Sequence, residues 1–204
     1  MTSLNFLLLP AVVVFFFTSR QNINIGLRYV LPAYPFLLVL IARVVQYKSQ
    51  HQRLARWILG ILCIWAVWEA ALIYPHYLAY FNGLVGGPSG GRYMLVDSNL
   101  DWGQDLKGLK SYMERNGIRK VKLAYFGLGD PTHYGIDYDL LPSYAIRGQP
   151  LCQGESPAVF ELKGTIAVSA TLLQGLYCTA DFYRILRAMK PTANIGYSIY
   201  IYQF

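Results

Sequence analysis

Charged residues are scarce in this sequence, at 14% of 204 residues, against about 25% in a typical soluble domain. Acids are scarcest in residues 1–73, which contain six Lys or Arg and a single acid, Glu69. Residues 74–204 are nearly balanced, with twelve basic and ten acidic residues. The composition argues against a wholly soluble protein. Because the positive excess flanks apolar runs, it favours membrane orientation over nucleic-acid binding.

Cysteine is also rare, and its few positions limit the chemistry open to the chain. Cys63, Cys152 and Cys178 are too few and too scattered for a zinc cluster. In an oxidising compartment Cys152 and Cys178 are candidates for a disulfide, with Cys63 left as a buried thiol. Two free thiols are the alternative, because the sequence does not supply the separation that a disulfide requires.

Three apolar segments predict membrane helices within residues 1–80. They are about 4–18, 23–45 and 57–74. The third is the clearest, since Glu69 is its only charge, whereas the first falls short of the about 20 residues that a simple span needs. The connection 43–56 carries four basic residues and 19–28 carries two. The positive-inside rule therefore places 43–56 in the cytoplasm and the tail outside.

The tail predicts a small extracytoplasmic α/β domain. Residues 81–91 are rich in glycine and predict a flexible joint, and the domain follows over 92–204. The expected strands are Arg92–Val96, Lys120–Phe126, Thr165–Ser169 and Gly196–Tyr202, and the expected helices are Asp101–Arg115 and Asp181–Met189. Strand, helix and strand over 92–126 predict a βαβ unit in a largely parallel sheet. Residues 127–160 show little periodicity and predict a long ordered loop or a crossover.

The densest polar cluster follows the first expected strand, where open α/β sheets bind ligands. Its candidate binding residues are Asp97, Asn99, Asp101, Trp102, Gln104 and Asp105. Two interpretations stay open: helix capping with dipole complementarity, or binding of sugar hydroxyls with Trp102 stacked on a pyranose face. A calcium loop does not fit, because Gly108 stands where a bidentate Glu belongs. We therefore expect no cofactor, with a divalent cation at 97–105 as the lesser alternative.

One basic residue near the predicted membrane surface is a further candidate. Arg28 lies at the outer end of the second predicted span. An Arg in this position suits a lipid phosphate, and a plain headgroup anchor is the alternative.

Several stretches taken together resemble a known family. They are Asn24–Leu37, Tyr80–Asn82 with Gly86–Pro88, Asp97–Leu106 and Pro191–Ile199. In order along the chain they resemble the C-terminal third of bacterial membrane glycosyltransferases of the C superfamily, the group related to protein mannosyltransferases. The resemblance implies a place in the bacterial inner membrane, with the C-terminal domain on the periplasmic or extracellular side. It also implies sugar transfer from a polyprenyl-phosphate donor at that face.

The resemblance does not supply a catalytic residue. The family's catalytic acid lies in the first external loop of an N-terminal bundle, and the loop 19–28 contains no Asp or Glu. The resemblance thus implies a chain that lacks the catalytic bundle and whose outer domain contributes to acceptor or sugar binding. Its implied partners are membrane lipid and a separate N-terminal half or other membrane subunits. Whether it is an enzyme stays open, and a non-enzymatic accessory subunit of a larger membrane complex is the alternative.

Overall fold

The computed structural model describes residues 3–20, 26–46, 52–143, 161–178 and 180–204. The chain divides into two compact units, Met1–Tyr74 and Pro75–Phe204. Each unit has its own secondary structure.

The first unit is helical. Its helices are α1 (Ser3–Ser19), α2 (Tyr34–Gln46) and α3 (Gln52–Leu72), with two 3-10 turns at Gly26–Tyr29 and Leu31–Ala33. Proline shapes the start of α2. Pro32 lies in the preceding 3-10 turn and Pro35 in the first turn of the helix, where a missing N–H costs no hydrogen bond.

Among the described helices, α3 is the one long and apolar enough to cross a membrane, with 21 residues and a mean hydropathy of 1.5. The other two predicted spans correspond to shorter apolar helices, Asn5–Ser19 and Leu31–Ala42. The apolar side chains of α3 are exposed in the first unit, Trp57, Ile64 and Val67 among them. Three membrane helices therefore stay a prediction.

The second unit is built on a mixed five-stranded sheet. Its strands are β1 (Val121–Ala124), β2 (Tyr138–Leu140), β3 (Thr165–Ser169), β4 (Ala193–Ile195) and β5 (Ile199–Gln203). Their order across the sheet is β2-β1-β3-β5-β4. β1 is parallel to β2 and to β3, whereas β5 is antiparallel to β3 and to β4. The expected α/β content is present, but the sheet is mixed rather than largely parallel.

Helices cover both faces of this sheet. They are α5 (Leu106–Arg115) on one face and α6 (Ala170–Leu173) and α7 (Arg184–Ala188) on the other, and the short helix α4 (Gly87–Gly91) precedes them in the chain. Side chains alternate between the faces, so Ala167 packs in the core with α5 while Ile166 and Val168 pack in the core with α6 and α7. On α5 the buried stripe is Leu106, Leu109 and Met113. Each such side chain contributes about 1.5–3 kcal/mol when fully buried.

One feature of the predicted tail is wrong. Residues 92–96 are not a strand, because the N–H groups of Tyr93 and Met94 bond back to the carbonyls of Gly90 and Gly91 and prolong the helical turn. The βαβ unit expected over 92–126 is therefore absent. The glycine-rich segment 81–91, predicted as a flexible joint, belongs to the second unit and contains a 3-10 turn at Gly83–Val85 followed by α4. Gly91 is buried there so close to the ring of Phe81 that a side chain would not fit.

Candidate functional site

The predicted ligand-binding loop, residues 97–105, is tied to the segment that follows β3. Asp97 has a left-handed backbone with φ of 56°. Its N–H donates to Thr171 Oγ1 at 3.1 Å, and its Oδ2 accepts from the Tyr177 hydroxyl at 2.7 Å. Its carbonyl also accepts from the N–H groups of Leu100 and Asp101. Asp97 therefore fixes the start of the loop and does not cap α5, which begins later at Leu106.

Asp101 is the internal anchor of this loop. Its exposed fraction is 0%, and its carboxylate accepts from Gly103 N at 3.0 Å and from Thr171 N at 3.4 Å. Burial raises the pKa of Asp101 to about 7, although these two backbone donors oppose the shift. The carboxylate is enclosed by protein. Of the predicted binding residues, Asp101 therefore supports the loop instead of facing a ligand.

Trp102 lies on the outside of the loop with 58% of its surface exposed. Its indole Nε1 donates to Ser98 O at 3.0 Å, and its backbone N–H donates to Gln104 Oε1 at 2.7 Å. Gln104 is itself held, since its Nε2 donates to Leu100 O at 3.1 Å. The polar atom of the indole is thus used within the loop while much of the apolar ring faces solvent.

The loop also depends on a close approach at Gly103. This residue has a positive φ of 73°, and a Cβ there would meet the Tyr125 hydroxyl at 2.2 Å. The same hydroxyl donates to Gly103 O at 2.6 Å. The phenol and the glycine therefore hold the turn that presents Trp102.

Asp105 is largely buried beside a cleft. Its Oδ2 accepts from Ser198 Oγ at 2.6 Å, and its Oδ1 lies 4.0 Å from His76 Nδ1. Burial raises the pKa of Asp105, against the opposing effects of the Ser198 hydroxyl and of His76. Although Asp105 holds the N-cap position of α5, its side chain makes no capping hydrogen bond. Its carboxylate therefore forms part of the cleft wall and accepts a hydrogen bond from the turn between β4 and β5.

The cleft has a volume of about 420 Å³ and lies within the second unit. Its lining includes His76, Gln104, Asp105, Lys107, Ser111 and Gly196. Gln104 connects the cleft to the exposed tryptophan, because it lines the cleft and accepts from Trp102 N. A concave site with convergent polar groups and a carboxyl of shifted pKa is the ordinary setting for a small polar ligand.

The structure thus divides the six predicted residues. Gln104 and Asp105 line the cleft, and Trp102 is exposed beside Gln104. Asp97 and Asp101 shape the loop, and Asn99 does so too through a bond from its Nδ2 to Val96 O at 3.2 Å. No local pattern pointed to His76 or Ser198, because they lie 29 and 93 residues from Asp105 along the chain.

The other predicted site residues lie elsewhere. Arg28 is exposed in the 3-10 turn Gly26–Tyr29 of the first unit. Cys178 is disulfide-bonded, and Cys152, its predicted partner, lies outside the described residues. Cys63 is free, as expected, but exposed rather than buried. Across the described ranges, no group of three or more His, Cys, Asp or Glu side chains is placed to hold a metal ion.

Residues 87–91 also match the G-x-S-x-G pattern of serine hydrolases, with Ser89 at its centre. In those enzymes the serine occupies a sharp turn between a strand and a helix. Here Ser89 lies inside the short helix α4, directly after the 3-10 turn Gly83–Val85. The local geometry therefore does not match a nucleophile elbow.

Comparison with protein-family models, with curated proteins and with solved structures found no match for this chain. The geometry of the loop and cleft and the sequence resemblance are therefore what indicate a function.

Proposed function

We propose that this chain takes part in sugar transfer from a lipid-linked donor at a bacterial inner membrane. In this proposal the second unit binds the sugar or the acceptor on the periplasmic or extracellular side, and the chain does not catalyse transfer alone. The observation that supports the proposal is Trp102, which is 58% exposed while its indole N–H is bonded inside the loop. An indole held with its apolar surface in water favours a ligand with a flat apolar face.

The polar groups beside Trp102 suit hydroxyls. Gln104 and Asp105 line the adjacent cleft with amide and carboxylate groups, and Ser111 adds a hydroxyl. A pyranose offers C–H groups on its faces for an aromatic ring and hydroxyls at its edge that donate and accept. A neutral polyhydroxyl ligand therefore fits this mixture of an aromatic ring with amide, hydroxyl and carboxyl groups.

The membrane part of the proposal depends on the apolar helices of the first unit. α3 has the length and composition of a span, and α1 and α2 are shorter apolar helices that we expect to lie in the bilayer with it. Under the positive-inside rule the basic connection 43–56 is cytoplasmic, which puts the second unit outside. Membrane lipid is then a partner of the first unit, and Arg28 is a candidate for a lipid phosphate.

The position of the tryptophans allows a direct binding test. Three of the four lie in α3, at Trp57, Trp65 and Trp68, so replacing these with Phe leaves Trp102 as the sole indole. The full chain in detergent is titrated with the methyl glycosides of mannose, glucose, galactose, arabinose and N-acetylglucosamine while Trp102 emission is recorded. We expect a saturable shift with at least one glycoside.

Two variants separate binding from loss of structure. In the wild-type background, Trp102→Ala is expected to weaken glycoside binding at least tenfold, measured by ligand-observed NMR. Ile185→Ala removes an exposed apolar side chain from α7 and is the control that keeps wild-type binding. Failure of all five glycosides to shift the emission, with the chain folded, would count against the sugar-binding function.

Transfer itself is tested with a polyprenyl-phosphate sugar as donor. We expect no turnover with the purified chain, and turnover when an upstream membrane protein that carries the acidic loop is co-expressed. Turnover by the purified chain would contradict the proposal that it does not act alone. Absence of turnover in both samples would remove the transferase role.

A second candidate is a non-enzymatic subunit of a membrane complex. It is favoured by the scarcity of acids in residues 1–73, where Glu69 is the single carboxylate, and by the exposed apolar surface of α3. In that case the chain copurifies in fixed stoichiometry with other membrane proteins after mild detergent extraction. A monodisperse chain without partners would argue against it.

A further inference from the structure

The start of the second unit, Tyr77–Met94, has an unusual surface, of which Tyr77 and Leu78 also line the cleft. Its eighteen residues contain no Asp, Glu or Lys, and Arg92 is their only formal charge. Large apolar or aromatic side chains are nevertheless exposed throughout this segment, namely Tyr77, Leu78, Tyr80, Leu84, Tyr93 and Met94. Surface that is both apolar and nearly free of charge is typical of a region that contacts another apolar phase.

The single charge of the segment is also largely shielded. The guanidinium of Arg92 lies over the ring of Tyr93 at 4.7 Å and over the ring of Tyr200 at 4.4 Å. Its Nη2 donates to the Tyr93 hydroxyl at 2.5 Å. A cation that lies over the face of an aromatic ring is stabilised by a cation–π interaction. Arg92 is therefore compatible with a medium less polar than bulk water.

The backbone of the segment is folded into hydrogen-bonded turns. Gly86 N donates to Gly83 O, Gly90 N to Gly86 O, and Tyr93 N to Gly90 O. Backbone groups that are already paired lose little when water is replaced by lipid, whereas unpaired groups carry a large desolvation cost. A segment made of such turns, with Arg92 as its single, ring-covered charge, can therefore enter a bilayer surface.

The segment also begins close to the candidate span. Tyr77 is five residues along the chain from Leu72, the last residue of α3, with four residues between them. Because a chain reaches at most about 3.3–3.6 Å per residue, Tyr77 lies within about 18 Å of the end of α3. If α3 crosses a membrane, the segment starts beside the headgroup layer.

We propose that Tyr77–Met94 lies in the headgroup region of the lipid bilayer, with Leu84 inserted towards the acyl chains and the tyrosines at headgroup level. Tyrosine suits this layer because its ring is apolar and its hydroxyl is polar. Lipid is favoured over a protein partner because the segment lacks the carboxylates and lysines with which a polar interface rim is usually made. This inference rests on the membrane placement of α3 in the proposed function.

The test uses a fluorescent NBD label on single cysteines of the full chain in phosphatidylcholine and phosphatidylglycerol vesicles. The native thiol of Cys63 lies in α3 and is free, so it reports on the span. Leu84→Cys in a Cys63→Ser background reports on the segment. Leu128→Cys in the same background is the matched control, because Leu128 is 82% exposed and Leu84 is 81% exposed. Cys63→Ser alone shows that labelling is confined to the introduced thiol.

We expect the labels at Cys63 and Leu84 to be quenched by doxyl lipids and protected from iodide, and the label at Leu128 to be quenched by iodide. Iodide quenching at Leu84 equal to that at Leu128 overturns the proposal. So does a label at Leu84 shielded from both quenchers, which indicates protein cover, and so does lipid quenching at all three positions. If the Cys63 label is not lipid-quenched, the membrane placement itself fails and this inference fails with it.

Discussion

Gly196 lies against the carboxylate of Asp105 so closely that a Cβ on the glycine would meet Oδ2 at 2.1 Å. Gly196 has a positive φ of 58° and lies in the turn between β4 and β5, and it lines the cleft. The missing side chain is what allows a carboxylate at the start of α5 to bond the Ser198 hydroxyl of this turn. The geometry of the cleft wall thus depends on the absence of a Cβ atom at Gly196.

The first prediction concerns Gly196→Ala. The new methyl group must displace the Asp105 carboxylate, so we expect glycoside binding to weaken at least tenfold and stability to fall. Gly117→Ala is the matched control, because Gly117 has a similar φ of 64° with nothing within 4 Å of its added Cβ. A left-handed alanine by itself costs about 1–2 kcal/mol. Urea unfolding and glycoside titration of both variants make the comparison, and equal binding by the two would contradict the role of Asp105.

The second prediction concerns pH. Burial raises the pKa of Asp101 from 3.8 to about 7, so the folded state binds this proton more tightly than the unfolded chain. The stability that this proton gives the folded state is fully present below about pH 4 and is lost as the pH rises through about 7. We expect Asp101→Asn to reduce the loss of stability between pH 4 and pH 7, measured as the urea midpoint at each pH.

The control for this pH effect is Asp139→Asn, which removes an exposed carboxylate that pairs with Lys120 at 2.6 Å. It is expected to keep the wild-type slope over the same range. An Asp101→Asn variant with the full wild-type pH dependence would show that another group, such as Asp105, carries the effect.

The third prediction tests how the loop holds Trp102. Tyr125→Phe removes the hydroxyl that donates to Gly103 O, and a lost hydrogen bond of this kind costs about 0.5–1.5 kcal/mol. In the chain with Trp102 as its sole indole, we expect lower fluorescence anisotropy and weaker glycoside binding. Tyr112→Phe, which removes a phenol hydroxyl from α5, is expected to leave the anisotropy unchanged. Unchanged anisotropy in Tyr125→Phe would mean that Ser98 and Gln104 suffice to hold the indole.

The fourth prediction concerns the cysteines. Cys178 is disulfide-bonded and Cys63 is free, so we expect non-reducing mass spectrometry to detect a cross-linked peptide pair that contains Cys152 and Cys178. Reduction should release both peptides and leave the Cys63 peptide unchanged. Detection of both thiols in their free form in the isolated protein would remove the predicted pairing.

Sequence periodicity predicted the parts of the fold that bury a continuous stripe. The helix expected within Asp101–Arg115 is α5, and its apolar residues Leu106, Leu109 and Met113 are all buried. The strand expected at Thr165–Ser169 is β3. In both cases the local pattern and the tertiary environment agree, because the apolar period matches the period of the element.

Other elements could not be predicted from the local sequence pattern. β2 and β4 have three residues each, too few to show an alternation. The apolar residues near Arg92 suggested a strand. The helical turn that contains the preceding glycines continues through them instead, and β1 is the first strand of the sheet along the chain. Short strands form because neighbouring strands supply hydrogen bonds, and a single sequence does not show this.

The candidate site was predicted in part. The polar cluster at 97–105 identified the loop, and the exposed indole of Trp102 fits the sugar-binding interpretation. The sequence did not separate the buried carboxylate of Asp101 from the cleft carboxylate of Asp105, because their surroundings come from Thr171 and Ser198. Burial and long-range hydrogen bonds decided the roles of these two aspartates.

The two outer strands of the sheet affect how readily copies of the chain can associate. An exposed strand edge presents unpaired N–H and C=O groups to which another chain can add. Here the edges are β2 and β4, with three residues each, and Asp139 on β2 forms an ion pair with Lys120. Such short edges, one of them charged, give an incoming strand few groups to bond. Short edges with a charged residue thus disfavour edge-to-edge pairing between copies of the second unit.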